Sequence, residues 1–212
     1  LTAVVKVSLD TIIDLRYDGY RIDQTHLRNL TMNIFFLDTD PQKAAEMQCD
    51  KHVNKMAVEC VQMLVSALRR HGATDADVPL TKAGTPHRGG YANHPSTVWA
   101  GDSAGNFFWL ADHGLALCRE YTYRFGKMHA CEAQLYACHR AGWDFIPYGA
   151  LTAVPLCVGE DLQRKYNAMT AWMWDAVTVY RDFYQTDKAR FAEWAKGRPA
   201  PSWWDVRALE TV

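Results

Sequence analysis

At 212 residues, 49% of them hydrophobic, the chain is long enough for one compact domain, or for one domain with an extension. Lys and Arg nearly balance Asp and Glu at net −1, which excludes a global basic field, so any nucleic-acid binding has to use local patches. No run of about 18 apolar residues occurs, which excludes a membrane-spanning helix.

Residues 1–31 differ in character from the rest of the chain. Charges are scattered through a short β-like run from Ala3 to Leu9, and Trp is absent. The stretch has no long apolar segment or cleavage site of the secretory kind. It reads as an N-terminal extension outside the core, or as an upstream reading-frame product, whose removal leaves folding intact. Met32-Asn33-Ile34-Phe35-Phe36-Leu37-Asp38 is a compact apolar run, and residues 32–212 read as the functional domain.

Asp40 to Gly72 reads as one long, mostly buried helix. Asp40 is an N-cap, and Pro41 fills the first helical position, where its missing N–H costs nothing. Gly72 after Arg69-Arg70-His71 is a C-terminal stop with cations in the last turn. At about 100° per residue, Val53, Met56, Ala57, Cys60, Val61, Leu64, Val65 and Leu68 cover more than half of the circumference. A narrow row remains, made of Gln48, His52, Lys55, Glu59, Gln62 and Ser66. Two readings stand side by side. Lys55 and Glu59 are a solvent-facing pair with an incidental His, or the row is the wall of a cleft, with Glu59 as base or charge stabiliser and His52 and Lys55 tuning it.

Residues 73–94 hold Pro79, Gly84, Pro86, Gly89 and Gly90 and form an irregular loop. With Lys82, His87 and Arg88, its backbone N–H groups suit a phosphate; an ordinary connector is the alternative. Asn93-His94-Pro95-Ser96 starts a second long helix that runs to about Phe125 and stops at Gly126. One row of it reads Trp99, Asp102, Asn106, Trp109, His113. That row either stacks and hydrogen-bonds a planar base or packs in the core. Gly101, Gly105 and Gly114 in this helix imply close approach of another backbone or a ligand.

A shorter helix spans His129 to Arg140 and ends at Gly142. Its His129, Cys131, Cys138 and His139 do not have zinc-ligand spacing. A loop over 143–158 leads to a third long helix, Gly159 to Tyr184, rich in aromatics including Trp172 and Trp174. A last helix capped at Thr186 or Asp187 ends at Gly197. The tail Arg198-Pro199-Ala200-Pro201-Ser202-Trp203-Trp204 closes as a lid or contacts bases. Six cysteines without a C-x-x-C pair read as reduced core thiols, which suits a cytoplasmic protein. The class is all-α, a single helical domain with long irregular loops.

Asp50-Lys51-His52, with Glu59 seven residues past the His, resembles the first helix of the pyrimidine-dimer DNA glycosylases of endonuclease V type found in phages. The order of parts is also similar: helix, irregular loop, aromatic second helix, and a tail with Arg198-Pro199 before Trp203-Trp204. Met32–Asp38, Asp50–Met56 and Asn93–Trp99 look like a group of phage-encoded proteins, some tied to thymine hypermodification.

These resemblances imply an enzyme acting on a base in duplex DNA that carries a damaged or modified pyrimidine. Glu59, His52 and Lys55 would be catalytic. Gln62, Arg88, Asn93, His94, Trp99, Asp102, Asn106, Trp109, Trp203 and Trp204 would bind substrate. Neither a metal nor a cofactor is required. The family's nucleophile is the α-amine of a residue exposed by Met removal; here that residue would be Asn33, which is too bulky for efficient trimming. The alternatives are an amino-donor transferase acting on activated thymine and a non-enzymatic interaction protein.

Overall fold

The computed structural model describes residues 32–169 and 175–204; the run at Ala3–Leu9 and the side chains of Trp172 and Trp174 lie outside them. Among the described residues there are seven α-helices and no strand, with one isolated bridge between Leu80 and Pro86. The class is all-α, as the helical periodicity predicts.

Asp40 caps α1 (Pro41–Met47), its Oδ1 accepting the amides of Gln42 at 2.8 Å and Lys43 at 3.1 Å. The helix does not run on to Gly72. Gln48 and Cys49 are extended, and α2 (Asp50–Arg70) begins afresh. The break is held by partners distant in sequence. Gln48 Nε2 donates to Ile34 O at 3.3 Å and lies 3.1 Å from His113 Nε2. Cys49 N–H donates to the Tyr184 hydroxyl at 3.3 Å, and Asp50 N–H donates to Glu193 O at 2.9 Å. The buried Arg124 guanidinium reaches the carbonyls of Glu46 and Gln48, both at 2.9 Å, and satisfies the open end of α1.

The second predicted helix is also two. α3 (Pro95–Ala100) and α4 (Ala104–Phe125) are separated by Gly101–Ser103. The Arg70 guanidinium holds Asp102 at 2.8 Å, and the Ser103 hydroxyl caps α4 and donates to Ala150 O at 2.7 Å. Gly126, at φ 66°, ends α4 as expected. The close approach implied at Gly105 is that of a backbone: a Cβ there would lie 2.2 Å from Leu151 N.

α5 (Glu132–Phe145) starts later than expected and runs through Gly142. At that position a Cβ would meet the Phe107 ring at 2.5 Å, so the glycine serves packing and not termination. The third predicted helix is interrupted as well, giving α6 (Glu160–Asn167) and α7 (Ala176–Phe183). The expected last helix is absent. α7 passes into a π-helical turn, Tyr184–Lys188, and residues 192–196 are irregular. There Asp50 Oδ2 accepts Ala195 N–H at 2.8 Å, while Glu193 O takes the Asp50 amide. The segment thus caps α2 instead of coiling on itself. α2 packs against α3, α4 and α5, and α1 lies against α4.

Candidate active site

Glu59 sits near the middle of α2, its side chain 8% exposed. Oε1 pairs with Lys55 Nζ at 2.8 Å, one turn earlier on the helix, and that lysine side chain is 52% exposed. Oε2 accepts the backbone N–H of Asn33 at 2.9 Å. The carboxylate therefore joins the first residues of the described chain to α2.

Asn33 is fixed by its own side chain. Its Oδ1 accepts the amides of Ile34 and Phe35, both at 2.8 Å, and its Nδ2 donates to Cys157 O at 2.7 Å. This tight local wrap carries Phe35 into the left-handed region, at φ 53°. The Phe35 ring then stacks on His52, with centroids 4.3 Å apart and planes 17° apart.

The polar contact of His52 is with Tyr184, whose hydroxyl lies 2.5 Å from Nδ1. Burial pushes the tyrosine far above its usual range, so its hydroxyl stays protonated. Burial, and then Lys188, Lys55 and Lys51, pull the His52 pKa down to about 3. His52 is neutral at pH 7 and does not donate a proton there. The groups that contact Glu59 are Lys55 and the Asn33 amide, in place of the expected His52.

The rest of the row on α2 meets the loop. Ser66 Oγ accepts Gly90 N–H at 2.8 Å, and Gly90 packs on Gln62, which is half-buried. His87 Nδ1 accepts Gly89 N–H at 2.9 Å. Both glycine amides expected to face a phosphate are thus engaged inside the protein. Arg88, Lys82 and Asn93 are exposed. His94 is buried and caps α3 by accepting Ser96 N–H at 3.1 Å; burial lowers its pKa to about 4.

The predicted recognition row on the second helix is packed, apart from Asp102, which lies outside any helix on Arg70. Trp99 and Trp109 are buried, their indole N–H groups donating to Thr152 O at 3.3 Å and Thr39 O at 2.7 Å. Asn106 is fully buried. Its Nδ2 donates to Trp99 O and Thr152 Oγ1, both at 2.8 Å, and its Oδ1 accepts Thr152 N–H at 2.8 Å. His113 lies between Gln48 and Pro41 O. Each polar group here has a protein partner, the arrangement of the packed reading of this row.

In the tail, Arg198 forks onto Glu120 at 2.9 and 2.7 Å. Trp203 and Trp204 are half-buried; Trp203 lies over Met47 and Arg181, and Trp204 against Trp194. Among the described residues no three His, Cys, Asp or Glu stand together as a metal site, and no helix is long and apolar enough to cross a membrane. Sequence reasoning missed Asn33, Phe35, Tyr184 and Lys188 as neighbours of the row. The apolar run around Asn33 was the one available signal.

A helical scaffold that buries a glutamate of α2 against the chain segment opening at Met32 sets the frame for comparison. Residues 32–133, just under half of the chain, match the family model described as pyrimidine dimer DNA glycosylase. The matched stretch holds Asn33, His52, Lys55 and Glu59, whereas Tyr184, Lys188, Trp203 and Trp204 lie beyond it. No curated protein and no solved structure matches the chain.

Proposed function

We propose that the protein is a DNA glycosylase-type enzyme that acts on a damaged or modified pyrimidine in duplex DNA, with Glu59 as its catalytic carboxylate. The observation that carries this reading is the contact of Glu59 Oε2 with the Asn33 amide, 2.9 Å, inside the segment that matches the family. As the bond between the sugar C1′ and the base breaks, the electron pair leaves with the base, positive charge grows on the sugar, and water adds to C1′ while its proton passes to the released base. A carboxylate held by Lys55 and one main-chain N–H stabilises that charge without having to reorganise. The resemblance assigns the nucleophile to the nitrogen that Asn33 carries. Joined to Met32, that nitrogen is an amide and only hydrogen-bonds; as a free α-amine it would be within reach of imine chemistry.

The test is incubation with duplexes carrying a thymine dimer, a 5-modified thymine or plain thymine, followed by nucleoside mass spectrometry. Release of a pyrimidine is expected from one of the first two. Glu59→Gln keeps the shape and the Asn33 contact. It is expected to lower release by at least about 100-fold, with the melting temperature within about 4 °C of wild type. Undiminished release by E59Q would sink the assignment. A gain of mass on thymine in place of release would identify amino-donor transfer, with Glu59 deprotonating the incoming amine.

A further inference from the structure

The first two turns of α2, the end of the π-helical turn and the residues just after it bring four cations together. Lys51 Nζ lies 4.7 Å from the centroid of the Phe191 ring, and the Arg190 guanidinium lies 5.3 Å from the same ring. Lys188 Nζ lies 4.2 Å over Phe183 and 5.8 Å from Phe35, the ring that covers His52. Lys55 sits one turn further along α2. Among the described residues, only Lys55 of the four has a carboxylate within ion-pair distance, and that carboxylate is Glu59. Asp187 attracts Lys188 from further away.

These charges act on one another. Lys188 is held below the usual lysine range, by burial first and then by Arg190 and Lys55. The lysines also help to keep His52 neutral. In a chain of net −1, Lys51, Lys188 and Arg190 form a local concentration of positive charge without an ion-paired carboxylate among the described residues. The aromatic rings fix the cations in place through cation–π contact. A row of fixed cations with aromatic spacers matches the regular negative charge of a phosphodiester chain.

We propose that Lys51, Lys188 and Arg190 seat the sugar–phosphate backbone of the DNA strand whose base is presented to Glu59. The inference rests on the DNA-base reading above. It adds a binding surface built from Lys51 of α2 and from two residues of the C-terminal segment that lie outside residues 32–133. Lys55 and Glu59 border the seat, so a strand held there passes the carboxylate.

The experiment measures anisotropy of a fluorescein-labelled duplex carrying a single thymine dimer, titrated with full-length protein from about 50 to 200 mM salt. Lys188→Gln with Arg190→Gln keeps the side-chain stems. It is expected to flatten the log–log salt slope by about 2, close to 0.9 for each phosphate left without its cation, and to weaken binding at least tenfold at low salt. Lys51→Gln alone, on an exposed side chain, should flatten the slope by about 0.9. Lys43→Gln with Arg140→Gln, both exposed elsewhere, should leave the slope unchanged. Unaltered slopes in both test variants would overturn the seat and leave Glu59 untouched. A wild-type protein without salt-dependent affinity for DNA would overturn the seat and the reading beneath it together.

Discussion

Asn106 shows how a single polar side chain can look like a recognition group and behave as a strut. Its amide joins the end of α3, through Trp99 O, to the loop at Thr152. Buried partners left open cost about 1–3 kcal/mol each. Asn106→Ala is expected to destabilise the fold by about 2 kcal/mol, which lowers Tm by about 4–8 °C in a domain of this size. Affinity of the folded fraction for DNA should stay the same. A thermal melt and one binding isotherm decide it: weakened binding with an unmoved Tm would return Asn106 to a substrate face. That His52 and Glu59 share one buried helix was legible from the sequence, because their spacing is local to it. The partner of Glu59 at Asn33 was not, because a main-chain N–H has no side-chain signature.

At the scale of elements, the termini were legible and the breaks were not. Asp40-Pro41, Gly72 and Gly126 act on their own turn of helix, so the sequence carries them directly. The interruption at Gln48–Cys49 depends on Arg124, Tyr184 and Glu193, which no window of neighbouring residues contains. Arg124 is the main tie there. It pairs with Glu120 at 2.6 Å and Asp50 at 2.9 Å, besides the two α1 carbonyls. Burial would raise the Glu120 pKa, but hydrogen bonds from Arg198 and Arg124 outweigh it and hold the group below the usual carboxylate range. Arg124→Met leaves these acceptors without their cation and is expected to cost about 3–5 kcal/mol. Urea midpoints measure this; a midpoint equal to wild type would show that α1 is held without the arginine.

For the whole molecule, the consequence of so much polar burial is sensitivity to acid. His52 is held at about 3, and His94 and His113 at about 4, all chiefly by burial, against 6.5 when exposed. Between these values the unfolded chain binds protons that the folded chain does not. Stability is therefore full above about pH 6.5 and falls as pH drops, by up to about 1.4 kcal/mol per pH unit for each histidine. Tm should fall steeply from pH 6 to pH 4.5 in scans at constant ionic strength. A flat Tm across that interval would contradict neutral burial of the three rings. None of this shows in the net charge, which counts residues and not their surroundings.

The bond between Asn33 and Glu59 spans 26 residues, and the one between Asn33 and Cys157 spans 124. The carboxylate gains its main-chain partner only where the apolar run at Met32, the middle of α2 and the loop before α6 meet. A half-folded chain, whether newly made or damaged, holds the acid and lysine of α2 but not the amide that the acid accepts. The contact of Glu59 with the Asn33 amide thus belongs to the finished fold and not to α2 alone.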